Sequence, residues 1–204
     1  MIKYLIIFSL VFFLVELSVN SFLLIDSVIF DSYYGRLSNT KIESFLKFRK
    51  EWLWITYPFK WLIEIVSISI IASILYLGLF LSRIKVDFLE VFQVSIIAKF
   101  ILFIPVFIKI AWFSYHPISL EAIRLFEPLS LFSLFDPELL QEWLYYPFKV
   151  LNLFEVGYWL LLAYLLAKHL NQAFDEMLKL VLTYYVSFLF CWIIFVMFIS
   201  LGNS

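Results

Sequence analysis

The sequence predicts an all-α, polytopic helical membrane protein: five transmembrane helices and two interfacial amphipathic helices in one domain, residues 1–204. Two compositional observations and one of pattern predict it. The chain is 64% hydrophobic and 15% charged, where soluble domains are about half apolar and about a quarter charged. Its mean hydropathy is +0.99, more apolar surface than a soluble fold can hide. The apolar residues also fall into runs of the roughly 20 residues that a membrane-spanning helix needs.

The first run, residues 4–24, follows Lys3 and is too long for the apolar core of a signal peptide; no small-residue cleavage site closes it, so it is expected as a retained span. The others are placed at 60–82, 90–113, 148–168 and 178–202. Short polar links join the second to the third (Arg83, Lys85, Asp87) and the fourth to the fifth (His169, Asn171, Asp175, Glu176), which predicts two antiparallel helical hairpins. Pro105 is expected to kink the third span, because a mid-helix proline loses one backbone hydrogen bond and clashes with the preceding turn.

The long connections, 25–59 and 114–147, share one side of the membrane. Thr40-Lys41-Ile42-Glu43 has capping-box spacing and leads into Phe45, Leu46, Trp52 and Leu53. Asp136-Pro137-Glu138 reads as a helix start before Leu139, Leu140, Trp143 and Leu144. Aromatic-rich amphipathic helices beside spans lie in the interface; the alternative is that the two pack on each other as a small cap. Glu51-Trp52-Leu53 and Tyr57-Pro58-Phe59-Lys60 before span two recur as Glu142-Trp143-Leu144 and Tyr146-Pro147-Phe148-Lys149 before span four. Residues 51–113 and 142–202 thus read as a degenerate, parallel internal repeat, against coincidence in an aromatic-rich sequence. Lys3 argues for a cytoplasmic N-terminus, whereas Lys47, Arg49 and Lys50 argue the reverse; the expectation is N-terminus inside.

Charges inside the bilayer carry the most information, since each costs several kcal/mol unless it is paired or hydrated. At about 1.5 Å per residue, Glu16 lies roughly 12 Å and Glu155 roughly 10 Å below the long-connection face, with Lys99 near the midplane. Glu64 and Lys109 lie about 6 Å deep, within snorkelling reach of the interface. Glu16 shares a helix face with Ser9 and Asn20, Lys99 with Ser95, and Glu155 with Asn152, so these stripes should face other helices. The expected pairing is Lys99 with Glu155 or Glu16. Glu16, Glu64, Lys99, Lys109 and Glu155 form the candidate polar cluster: either a cavity open to the long-connection face or a buried ion pair that fixes helix register.

Catalysis finds little support. His116 and His169 lie at opposite faces, and glycines stand only at 35, 78, 157 and 202, which excludes a phosphate-cradling loop and a Gly-x-x-x-Gly contact. His169, Asp175 and Glu176 read as a solvated turn rather than a metal site. Cys191 reads as packing, as do Tyr184 and Tyr185; being the one cysteine, it excludes an intramolecular disulfide. The net charge of −1 offers no basic stripe for nucleic acid. No cofactor is expected.

Phe126-Glu127-Pro128-Leu129-Ser130-Leu131, followed by Leu151-Asn152-Leu153-Phe154-Glu155-Val156, resembles bacterial Yip-type proteins, the prokaryotic arm of the Rab-interacting five-span Yip family, over roughly residues 90–200. The resemblance implies five helices and, in eukaryotes, a role in vesicle traffic with small GTPases. This sequence has almost nothing before its first span, where the eukaryotic partner-binding segment lies, so that role is not carried over. Abundant phenylalanine, isoleucine and leucine with little glycine suggest an AT-rich bacterial genome, and the multi-pass chain is expected in the bacterial inner membrane. The expected role is a non-enzymatic scaffold or accessory subunit, with membrane lipid, another membrane protein or a second copy as partner. The alternative is a small transporter or channel with a polar path through Glu16, Lys99 and Glu155.

Overall fold

The computed structural model describes residues 2–202. Those residues are mostly helical, with no strands among them, and the chain is a multi-pass membrane protein: five helices are long and apolar enough to cross a bilayer. The first, α1 (Ile2–Phe22), leads through a tight turn into the short α2 (Asp26–Tyr33).

The next helix, α3 (Asn39–Leu81), has 43 residues, about 65 Å at the usual rise and twice the roughly 30 Å of a hydrocarbon core. Its sequence divides it. Residues 41–51 hold Lys41, Glu43, Lys47, Arg49, Lys50 and Glu51, whereas between Trp61 and Leu81 the only charge is Glu64. The expected interfacial helix and the second span are therefore one continuous element that runs straight through Pro58. A proline removes a single backbone bond, while a full break at the membrane surface would strand several polar groups next to hydrocarbon.

The third span is interrupted instead. After α4 (Phe88–Lys99), residues Phe100–Phe103 tighten into a 3₁₀ turn before α5 (Ile104–Phe113) begins with Pro105 in its first turn. Pro105 has no N–H for the carbonyl four residues earlier. The rings of Phe100 and Phe103 pack on Phe8 of α1, both at 5.7 Å between centroids, and anchor the irregular turn to that helix.

Beyond α6 (Leu120–Leu125), the second long connection departs from expectation. Asp136 does cap a helix start, its Oδ1 accepting from the Glu138 N–H at 3.0 Å, but only one 3₁₀ turn (Pro137–Leu139) follows. The Pro137 carbonyl accepts from both the Leu140 N–H at 3.3 Å and the Tyr145 hydroxyl at 2.7 Å, which ties this turn to the segment that follows. Leu139 is left 85% exposed, so no amphipathic face forms here. A second 3₁₀ turn (Glu142–Leu144) runs into α7 (Tyr145–Val150).

Span four is likewise shorter than its expected 148–168. It starts as α8 (Leu153–Leu170), after a break at Leu151 and Asn152. The break has a backbone cause: the Leu131 N–H donates to the Leu151 carbonyl at 2.9 Å, and the Leu153 N–H to the Leu129 carbonyl at 3.0 Å. This short antiparallel bridge joins the two segments singled out in the sequence, 126–131 and 151–156. The last span comprises α9 (Phe174–Leu180), a π turn (Val181–Val186) and α10 (Ser187–Leu201).

The α3/α4 and α8/α9–α10 hairpins share one core, built from Ala72, Leu75, Val91, Ala98, Tyr158, Leu162, Val181 and Tyr185. A second cluster, Phe8, Phe12, Ile68 and Ile96, fixes α1 against α3 and α4. The helix α2 packs on both α3 and α6, so parts of the long connections touch. The first hairpin turns at Arg83 (φ +60) and the second at Asn171 (φ +52). Asparagine tolerates this left-handed conformation, whereas for arginine it costs about 1–3 kcal/mol.

Gly78 sets the closest approach between the hairpins. A Cβ there would lie 2.6 Å from Cδ2 of Tyr184, which sits within the π turn. Gly78→Ala is predicted to lower stability by about 1–3 kcal/mol, measured by reversible unfolding in micelles; an unchanged midpoint would show that the helices do not meet there.

Candidate functional site

An ionised side chain removed from water is tolerated only where another group meets it. Along the seam between α1 and α3, Glu16 receives Lys60 Nζ at 2.7 Å. One turn on, Asn20 Oδ1 accepts from Arg49 Nη2 at 2.9 Å, and Asp26 holds both Arg49 and Lys50, at 3.4 and 2.6 Å. Ser9, on the same stripe, accepts from the Trp61 indole N–H at 3.0 Å. The whole polar stripe of α1 is thus turned to α3.

Lys99 does not meet Glu155 or Glu16. Its ammonium lies 3.1 Å from Glu64 Oε1, across the α3/α4 hairpin, with side-chain exposures of only 13% and 24%. Both expected partners are otherwise engaged, Glu16 by Lys60 and Glu155 by aromatic donors. Ser95, near Lys99 on α4, turns back to the Val91 carbonyl at 2.9 Å. Lys109 leaves the cluster altogether: it reaches Glu127 and the Ile123 carbonyl, both at 3.2 Å, and pins the second long connection onto α5. Lys149 lies 3.9 Å from the same Glu127 and against the Phe132 ring. Burial pushes the Lys149 ammonium below the ordinary lysine range, and Glu127 opposes that shift.

Glu155 is the unusual member. It is 8% exposed, and its Oε1 accepts from the Tyr185 hydroxyl at 2.7 Å and the Trp159 indole at 2.9 Å. No cation among the described residues lies within ion-pairing distance of it. Asn152 does not share a polar stripe with it but caps α8, accepting from the Glu155 N–H at 2.8 Å. A carboxylate in the first turn also suits the positive end of the helix dipole. Tyr158, fully buried, stands edge-on to Tyr185 at 5.6 Å between ring centroids, and its hydroxyl has no hydrogen-bond partner among the described residues. Tyr185 belongs to the π turn, a local irregularity frequent at functional sites.

Tyr185 and Trp159 are absent from the sequence-derived cluster, because tyrosine in an apolar helix reads as packing. A signal for Tyr185 exists in the repeated words. Lys99 stands nine residues after Glu90, and Tyr185 nine after Glu176. The acids Glu64 and Glu155 likewise follow Pro58 and Pro147, the second after two extra residues that coincide with the break at Leu151 and Asn152. Each hairpin therefore sets an acid of its first helix against a donor of its second: Lys99 in one, Tyr185 in the other.

Two pockets open at the short-link end, and neither is lined by Glu16, Lys99 or Glu155. His169 Nε2 lies 3.7 Å from Glu90, and His116 stacks on Trp112. Cys191, expected to pack, faces outward from α10. No family model, curated protein or solved structure matches this chain.

The pairing of Lys99 with Glu64 is testable by a double-mutant cycle. Lys99→Leu alone leaves a carboxylate unpaired and is predicted to cost on the order of 3 kcal/mol. Adding Glu64→Leu should restore most of that loss, read as unfolding free energy in micelles; strictly additive losses would show that the two do not interact.

Proposed function

We propose that this chain is a non-enzymatic scaffold or accessory subunit of the bacterial inner membrane, contacting another membrane protein through the outer half of α3. The observation that carries the proposal is the surface of that half-helix. Phe45, Phe48 and Trp52, on one face of the helix, are 46%, 58% and 50% exposed, on a segment too charged to sit in hydrocarbon. Aromatic side chains of this kind are enriched in protein contact surfaces, and an exposed apolar patch beyond the membrane needs an occupant. The paired interior supports the same reading, since Glu16, Glu64 and Lys99 each have a partner on a neighbouring helix. Kinship with Yip-type proteins is part of the proposal. It rests on the residues of segments 126–131 and 151–156 that carry the resemblance.

A transporter or channel is the second reading, and one observation favours it: Glu155 is a buried carboxylate held by Tyr185 and Trp159 rather than by a cation. On that reading Glu155 is the station on the polar path at which a cation or proton is held.

Site-specific photocrosslinking in cells distinguishes the two. With a benzophenone side chain at position 48 or 52, the scaffold reading predicts one discrete protein adduct, and none from position 195, an exposed residue of α10. Absence of an adduct at both 48 and 52 contradicts the scaffold reading.

A further inference from the structure

At the end of the bundle opposite the long connections, the chain passes from α3 to α4 through residues 82–87, and a pocket of about 710 Å³ opens beside this turn. Tyr76 and Phe80 give it an apolar wall, and Arg83, Lys85, Asp87 and Glu90 give it charge of both signs. Among the described residues, Arg83, Lys85 and Asp87 enter no ion pair, and Glu90 meets only His169 at 3.7 Å. Asp87 begins α4 without using its carboxylate as a cap.

The turn itself points to Arg83. Both hairpins close with the same backbone bond, Ile84 N–H to the Leu79 carbonyl and Gln172 N–H to the Ala167 carbonyl, each 3.0 Å. This helix-ending motif places one residue in the left-handed region, where glycine or asparagine is usual. The second hairpin uses Asn171 there, and the first holds Arg83, a residue lining the pocket, in the same strained conformation.

We propose that this pocket holds the headgroup of an aminophospholipid. Its phosphate lies against Arg83 and Lys85, its primary ammonium against Asp87 and Glu90, and an acyl chain runs along the exposed Leu77 and Phe80. A guanidinium fork matches phosphate oxygens in geometry as well as charge. The balance of two cations and two carboxylates decides the class. An anionic headgroup would leave both carboxylates facing like charge, and a choline headgroup has no N–H to give them. The site lies away from the outer half of α3 and stands whether or not that surface binds a protein.

The test is a lipid titration of the full-length, delipidated protein in detergent, read by native mass spectrometry, with dioleoyl phosphatidylethanolamine, phosphatidylcholine and phosphatidylglycerol as probes. Phosphatidylethanolamine is expected to bind at least tenfold more tightly than either of the others. Arg83→Asn with Lys85→Gln should weaken it at least tenfold, since asparagine keeps the left-handed turn while removing the charge. Asp87→Asn with Glu90→Gln should abolish the preference over phosphatidylcholine. Lys85→Gln alone, on an exposed side chain in the turn, should cost at least threefold and covers the case in which the double variants fail to fold. Equal binding of the three lipids, a preference for phosphatidylglycerol, or unchanged affinity in the Lys85→Gln protein would each overturn the assignment.

Discussion

Hydrocarbon offers no partner to a charge, so an ionised group inside the bundle must find one on another helix. In this chain that requirement ties elements together in sequence. Glu16 and Lys60 join α1 to α3, and Glu64 and Lys99 join α3 to α4. Glu155 and Tyr185 join α8 to the π turn of the last span. Apolar packing supplies the contact area, but leucine against leucine is little better than leucine against lipid. The polar pairs therefore select which faces meet and in which register, and α1, with few core residues of its own, depends most on its seam with α3.

The two hairpins show what happens when similar words meet different surroundings. The first Tyr-Pro-Phe-Lys corner continues as helix through Pro58, and its lysine turns to Glu16. The second ends at Val150, where backbone pairing with residues 129–131 replaces the helical bonds, and its lysine turns toward Glu127. Both lysines hold a preceding segment in place, yet only the first corner carries its helix outward by a further 30 Å or so. That extension bears the exposed aromatic surface. The break in the second copy instead frees Asn152 to cap α8 and sets Glu155 in its first turn.

The number and nature of the membrane spans were legible in the sequence, because hydropathy is a one-dimensional property and spans of roughly 20 residues average over local irregularity. Their bounds were less so. Pro58 and Pro105 look alike in sequence, yet one sits within a continuous helix and the other follows a 3₁₀ turn packed on Phe8. Asp136-Pro137-Glu138 announces a helix correctly at its first turn, yet only a single 3₁₀ turn forms there. Within the site, the charges were identifiable but their partners were not. Lys99 lies within reach of several acids in a linear reading, and helix adjacency decides for Glu64. Tyr185 carried no polar signature except its place in the repeated spacing, and Lys60 stood out only as the end of a repeated Tyr-Pro-Phe-Lys word.

We propose that paired groups close the interior rather than line an aqueous path. The direct measurement is thiol accessibility in a Cys191→Ser background, with Ser95→Cys as the reporter. Ser95 is fully buried one turn from Lys99, and the exchange is nearly isosteric, so the ion pairs stay intact. Controls at Tyr115 and Leu139, 88% and 85% exposed in the long connection, report the accessible side. A closed interior predicts that an impermeant maleimide labels the controls and leaves position 95 unmodified from either side of the membrane. Labelling at position 95 would reveal water beside Lys99 and contradict the account.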